Sequence, residues 1–266
     1  MKVKAKKSLG QHFLNDLEIA RSIADTIEAH ELPDNAKKWS EIPVLEIGPG
    51  MGVLSQFVLK NRRDVKAVEL DMESVEFLNK VFPDLHVIHA DFLKMNLDEI
   101  FATQFALIGN YPYNISSQIF FKVLDYREKI PVVAGMLQKE VAHRICSKPG
   151  SKVYGILSVL LQAWYDCVYL FDVSPEVFSP PPKVTSGVIR LIRNNRQTLG
   201  CDEKLFKTIV KTSFGQRRKT LRNSLSGIIP SDSQLSQDPV MSRRPETLSV
   251  EEFILLTEKI SKTISS

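Results

Sequence analysis

Short, β-branched apolar runs alternate with amphipathic segments across the first two-thirds of this 266-residue chain, and that alternation constrains the fold more than any other feature. VLEIG (44–48), VKAVEL (65–70), LHVIHA (85–90), FALIGN (105–110) and PVVAGML (131–137) are nearly continuously apolar, as strands buried on both faces must be. Between them, Leu54, Phe57 and Val58, then Val75, Leu78 and Val81, then Ile119, Phe120, Val123 and Leu124 recur at helical spacing. A further helix starts near Asp16, with Leu17, Ala20, Ile23, Ala24 and Ile27 on one face. Strand and helix in steady succession predict an α/β fold: a mostly parallel, doubly wound, Rossmann-like sheet with helices on both faces.

The pattern changes near Pro180. SPPPKV (179–184) cannot lie inside a helix, and VTSGVIRLI (184–192) reads as a last strand. Beyond it Leu205, Ile209 and Phe214, then Leu221, Leu225 and Ile228, then Leu248, Phe253, Leu256 and Ile260 imply three or four helices, the last opened by a capping box from Ser249 to Glu252. The expected organisation is a sheet domain over residues 1–195, with a basic N-terminal arm, and a small all-helical domain over 196–266.

Composition removes several classes. With 43% apolar and 25% charged residues the chain is neither fibrous nor largely disordered. Its most apolar stretch, Val153 to Trp164, is interrupted by Gly155, Ser158 and Gln162 and falls short of the roughly 20 apolar residues of a membrane helix, so no membrane association is expected. Three cysteines, Cys146, Cys167 and Cys201, are too few and too dispersed for a disulfide framework or a zinc ribbon. The start, MKVKAKKSLGQHFLND, has no apolar run of the signal-peptide kind and no arginine before Arg21, which makes the cytoplasm the expected compartment.

Charge is segregated along the chain. Residues 1–7 hold four lysines and no acid, and Lys183 to Asn223 hold eleven basic residues against two acids. These segments carry +4 and +9, so the remainder carries −9 in a chain whose total is +4. An acidic body with two basic segments suits an enzyme that keeps a polyanion at one edge, where cations displace the counterions of phosphates.

Three strand ends in a row offer polar groups to a ligand. E-I-G-P-G-M-G (46–52) leaves a strand and enters a helix, and glycines at 48, 50 and 52 permit a tight turn with close approach to the backbone. Val53 stands where a dinucleotide fingerprint needs its third glycine, which disfavours NAD. Glu69, 21 residues after Gly48, ends the second strand, where a carboxylate can accept from both hydroxyls of a ribose. Asp91 ends the third and can accept from an adenine amine.

The fourth strand ends in N-Y-P-Y, Asn110 to Tyr113. The Asn110 side-chain oxygen and carbonyls beside Pro112 can accept hydrogen bonds from an exocyclic amino group. An aromatic amine is a poor nucleophile because its lone pair is delocalised into the ring; acceptors that draw its hydrogens out of plane localise that pair for attack on a methyl sulfonium. Tyr113 can hold the base by stacking.

These residues carry a resemblance. The chain resembles the ribosomal RNA adenine dimethyltransferases of the small-subunit type, through SLGQHFLND (8–16), EIGPG (46–50), NYPYNIS (110–116), LQKEVAHRI (137–145), FSPPPKVTS (178–186) and FGQRRKTLRNSL (214–225). The resemblance implies dimethylation of the exocyclic amines of two adjacent adenosines near the 3′ end of 16S rRNA within the small ribosomal subunit. It implies S-adenosylmethionine as methyl donor, no metal, a monomer, and a role in ribosome biogenesis. It further implies that His12, Leu14, Gly48, Gly50, Glu69, Asp91 and Asn110 line the donor site, and that Phe178 stacks on the target adenine opposite Tyr113, with Asn110 in the catalytic set. Arg217, Arg218, Lys219 and Arg222 are implied as RNA contacts. At position 12 the family usually has asparagine; this chain has histidine.

No metal set is legible in the five histidines, since His86 and His89 are an odd number of residues apart on one strand and point to opposite faces. Two other readings stand beside the main one: a large-subunit rRNA adenine methyltransferase of the macrolide-resistance type, and a ribosome-assembly factor without turnover.

Overall fold

A computed structural model describes residues 3, 5, 6, 9–28, 41–62, 64–230 and 233–265. Lys2, Lys4 and Lys7 of the basic arm, and Ser8 of the first motif, lie outside the described residues.

In chain order the chain forms β1 (Phe13–Leu14), α1 (Leu17–Asp25), β2 (Val44–Ile47), α2 (Ser55–Asn61), β3 (Val65–Glu69), α3 (Met72–Val81), β4 (His86–His89), β5 (Ala106–Asn110), α4 (Ser116–Asp125), β6 (Val132–Gln138), α5 (Lys139–Cys146) and α6 (Ile156–Gln162). There follow β7 (Tyr165–Val173), β8 (Phe178–Ser179), β9 (Ser186–Arg193), α7 (Glu203–Gly215), α8 (Leu221–Ser224) and α9 (Val250–Ser265). Seven strands form one sheet in the order β4-β3-β2-β5-β6-β9-β7. The first five are mutually parallel and β9 runs antiparallel to β6, with Gly135 opposite Ile189 and Gln138 opposite Ser186. This is the Rossmann-like sheet expected from the alternation.

The continuous apolar character of β2 and β5 has a direct cause. Val44, Ala106 and Ile108 join a core cluster with Ala20, Ile23 and Ala24 of α1, Val58 of α2 and Leu78 of α3. Leu45 and Leu107 point to the other face and are equally inaccessible. Both parities are buried, so Glu46 of β2 is the one charged position within the two runs. The helix start at Asp16 is an N-cap whose carboxylate accepts from the Glu18 and Ile19 N–H groups.

Two compact units emerge: Met1–Ala142 with Asp166–Arg193, and His143–Tyr165 with Asn194–Ser266. The first holds the sheet. The second is helical and discontinuous, because α6 buries Leu157, Val159, Leu160 and Leu161 and packs on α7 and α9. Residues 143–165, which the sequence placed with the sheet, therefore group with the C-terminal helices. The sequence also missed β7, which sits at the edge of the sheet beside β9. Its residues YDCVYLFDV expose both aspartates and break the apolar signature of the inner strands. The capping box at α9 is present in both directions: Ser249 N–H donates to Glu252 at 2.8 Å and Glu252 N–H to Ser249 Oγ at 3.1 Å. Among the described residues no helix is long and apolar enough to cross a membrane.

Candidate active site

A cleft opens over the carboxyl ends of β2, β3 and β5 in the first unit, the edge where open α/β sheets take their ligands. Its wall comprises Leu9 to Leu14 of the N-terminal arm, the turn after β2, Glu69 and Leu70, Ala90 to Leu93, and Asn110 to Ile115.

The turn after β2 is built for close packing. Gly48, Gly50 and Gly52 all have positive φ, a region L side chains rarely adopt. A Cβ at Gly50 would lie 2.9 Å from the Phe13 ring, and one at Gly52 would lie 2.3 Å from the Phe82 ring. Glycine at these two positions lets the turn fold back under the arm and pack against both rings.

Glu69 holds this turn from the neighbouring strand. Its carboxylate accepts from Gly50 N–H at 3.1 Å and from the Leu70 and Asp71 N–H groups at 2.9 Å each. Burial leaves its pKa raised from the ordinary carboxylate value, with those three hydrogen bonds offsetting part of the rise. Asp91, at the next strand end, caps the short turn after β4 by accepting from Leu93 N–H at 3.0 Å. Asp71, just past β3, is gripped by Lys6 of the arm at 2.5 Å and by Ser74 at 3.1 Å. Burial of Asp71 is outweighed by its hydrogen bonds with Lys6, Ser74 and Gln11, which leave its pKa lowered.

Glu46 was quoted in the glycine motif but assigned no role, and it is the most perturbed acid of the cleft. It is 1% exposed, and its Oε2 has no hydrogen-bond partner. Burial pushes its pKa up to about 7, the nearby Ser55 hydroxyl moderates the rise, and Glu69 adds to it. The signal was legible: a carboxylate inside an otherwise apolar buried strand is costly unless a ligand or partner uses it.

At the end of β5, Asn110 Nδ2 donates to the His12 main-chain carbonyl at 3.1 Å. Tyr111 is fully buried, with its hydroxyl donating to Ala134 O at 2.7 Å and its N–H to Met136 O at 2.8 Å. That anchor leaves Pro112 and Tyr113 to turn outward. The Tyr113 hydroxyl bonds the Ser186 hydroxyl at the start of β9, and its ring stacks on the His12 imidazole with centroids 5.6 Å apart. Burial raises the Tyr113 pKa and the Ser186 bond offsets part of the rise. His12 Nδ1 reaches the Pro180 carbonyl at 2.8 Å.

His12, Leu14, Gly48, Gly50, Glu69, Asp91, Asn110 and Tyr113 are thus brought to one cleft. Phe178 is not on its wall. It is 3% exposed in the core cluster, where β8 pairs antiparallel with β1 and Phe178 lies opposite Leu14. Lys122 was not singled out either, yet its ammonium donates to the carbonyls of Phe92 at 2.8 Å and Leu93 at 3.1 Å, and to that of Met95. It braces the turn that carries the Asp91 end of the cleft. Among the described residues no group of three or more His, Cys, Asp or Glu side chains is placed to hold a metal.

In the second unit, Arg217, Arg218 and Lys219 occupy the turn after α7, and Arg222 lies in α8. Placed past the C-terminus of α7, the first three complement its dipole. Arg218, Lys219 and Arg222 are exposed; Arg217 is half-buried and donates to Ser151 O at 3.3 Å.

The sequence profile of the family described as Ribosomal RNA adenine dimethylase matches residues 2–262. The chain is similar to proteins named Ribosomal RNA small subunit methyltransferase A. It is 61% identical over 257 residues to that of Parabacteroides distasonis, covering 96% of this chain and 93% of that one. It is 59% identical over 261 residues to that of Porphyromonas gingivalis, covering 97% and 98%. The solved structure of a dimethyladenosine transferase from Plasmodium falciparum superposes with a TM-score of 0.78 at 21% identity, over 95% of this chain and 98% of that one. That of the 23S rRNA methyltransferase ErmE gives 0.66 at 24% identity, over 92% and 99%. These two likenesses carry the fold. With a glycine turn, an acid at each of the next two strand ends and N-Y-P-Y on β5 in one cleft, and a family profile that matches residues 2–262, the chain belongs to the ribosomal RNA adenine dimethylase family.

Proposed function

We propose that the protein dimethylates the exocyclic amines of two adjacent adenosines near the 3′ end of 16S rRNA in the small ribosomal subunit, acting in the cytoplasm as a monomer during ribosome biogenesis. The observation that carries this reading is the Asn110–His12 bond. It turns the amide so that its NH₂ faces the protein and its oxygen is left to accept from a substrate amine.

The cleft fits S-adenosylmethionine as donor. The unpartnered buried oxygen of Glu46 suits a cationic ligand. His12, Leu14, Gly48, Gly50, Glu69, Asp91 and Asn110 would hold the donor: Glu69 at the ribose and Asp91 at the base, each acid still having lone pairs beyond its backbone bonds. Bound there, S-adenosylmethionine supplies an electrophilic methyl group on a positively charged sulfur.

The protein's own work is on the acceptor. Asn110 Oδ1 accepts one amine hydrogen and a main-chain carbonyl beside Pro112 another, which localises the nitrogen lone pair. Tyr113 stacks on the flipped base, its ring held by the Ser186 hydroxyl. Phe178 would complete the stack from the opposite side, which from its buried position requires β8 to shift. Arg217, Arg218, Lys219 and Arg222 would neutralise rRNA phosphates from the 196–266 part of the helical unit, which also includes residues 143–165. No protein group needs to act as a metal ligand.

Incubation with labelled S-adenosylmethionine and small subunits lacking the modification, followed by mapping of label in the rRNA, tests donor, acceptor and position together. Two dimethylated adenosines near the 3′ end are the expected result; label elsewhere, or none, refutes the assignment.

A further inference from the structure

Several cations of the second unit are paired with acids. Lys259 meets Asp238 at 2.6 Å, Arg196 meets Glu251 at 2.9 Å, and Arg243 meets Glu252. Two short segments each carry two exposed cations without such a partner. In the loop between α5 and α6, Lys148 and Lys152 are exposed; in the turn after α7, so are Arg218 and Lys219. None of these four takes part in an ion pair among the described residues.

The two segments, more than 60 residues apart in sequence, are tied together. Arg217 Nη2 donates to the Ser151 carbonyl at 3.3 Å, between the two lysines of the loop. The loop is fixed from its other side by Gly150 N–H, which donates to the Glu246 carbonyl at 2.7 Å, and internally by Ser151 N–H to Lys148 O at 3.3 Å. The turn is closed by Lys219 N–H to Gln216 O at 2.7 Å. Four unpaired cations are therefore held on two braced segments rather than on a freely solvated face. Arg217 spends one N–H on the brace, while the Arg222 Nε donates to Ser236 O at 3.1 Å. Holding like charges together costs Coulomb energy that a polyanion recovers.

We propose that Lys148 and Lys152 form, with Arg218 and Lys219, one composite surface that binds phosphates of ribosomal RNA, and that Arg217 acts in it chiefly as a positioning residue. The proposal rests on the rRNA reading above and adds to it two contacts outside the C-terminal basic run. Each lysine that meets a phosphate contributes about 0.7 to 0.9 to the slope of log K against log salt. Lys148→Gln/Lys152→Gln keeps side-chain length and removes both charges.

The test measures binding of the full-length protein to small subunits, and to protein-free 16S rRNA, across a salt series. The double variant is expected to lower the slope by about 1 to 2 on both substrates, with S-adenosylmethionine affinity and thermal midpoint unchanged. Lys148→Arg/Lys152→Arg is expected to restore the slope. An unchanged slope in the Gln variant, with wild-type binding intact, overturns the proposal alone. So does failure of the Arg variant to restore it, which would assign the lysines a structural role, or an effect confined to whole subunits, which would assign the surface to a protein partner. If the wild-type protein binds neither substrate, the ribosomal reading itself falls, and this proposal with it.

Discussion

Asn110 and His12 meet through one bond, from the Asn110 amide nitrogen to the His12 main-chain carbonyl at 3.1 Å, and that bond decides which end of the amide is left for a ligand. A carbonyl can only accept, so the nitrogen must point toward it and the oxygen away. The contact uses the backbone of residue 12, so it is available whether that residue is histidine or asparagine. Asn110→Ala is expected to slow methyl transfer by on the order of 100-fold in single turnover at saturating donor and subunit, with subunit affinity retained. A near-normal single-turnover rate would show that other groups orient the amine.

Glu69→Ala removes more than the proposed ribose partner. Gly50, Leu70 and Asp71 each lose the acceptor of a main-chain N–H, and the two buried ones, of Gly50 and Asp71, cost about 1 to 3 kcal/mol apiece when left unpaired. The expected outcome is a lowered thermal midpoint together with at least a tenfold loss of donor affinity in calorimetry. Unchanged donor affinity in a folded variant would remove Glu69 from the ribose.

What the sequence disclosed follows from which interactions are local. β2, β3, β5 and β6 were legible because burial on both faces leaves a continuous apolar run, and Asp16 and Ser249 because caps act within three residues. β7 was not, since an edge strand that exposes Asp166 and Asp172 carries no such run. The partners of Arg217 and Lys122 were out of reach for another reason: both side chains bond main-chain carbonyls distant in sequence, and a carbonyl leaves no mark in the residue letters. The burial of Phe178 likewise depends on β8 pairing with β1 across more than 160 residues.

Lys122 supplies a positioning test that touches no proposed ligand contact. Burial lowers its pKa, against the raising influence of Asp91 and Asp125, yet its ammonium serves three carbonyls of the turn after β4. Lys122→Met retains the alkyl stem and leaves those carbonyls without their donor. Donor affinity is expected to fall severalfold, while the single-turnover rate at saturating donor stays near that of the unaltered protein. A loss of thermal stability with donor affinity intact would confine Lys122 to the fold.

Glu46 is expected to make both stability and donor binding depend on pH, with opposite signs. In the folded chain its pKa is about 7, raised by burial from an ordinary carboxylate value near 4.5. Between those two values the folded protein keeps a proton that the unfolded chain has released, so the stabilising contribution is present at low pH and is lost as pH rises toward and past 7. Glu46→Gln is expected to remove that component, on the order of 2 to 3 kcal/mol between pH 5 and 8, measured as the difference in denaturant unfolding between the two proteins. Donor binding runs the other way. A cationic ligand beside the unpartnered Oε2 favours the ionised carboxylate, draws its pKa down and expels the proton. Affinity for S-adenosylmethionine should therefore rise between pH 6 and 8, and calorimetry in buffers of different ionisation enthalpy should record proton release near pH 6.5. Glu46→Gln should show neither. If the substituted protein keeps the same pH dependence and the same proton release, Glu46 does not face the donor's charge, and its burial must be explained by the fold alone.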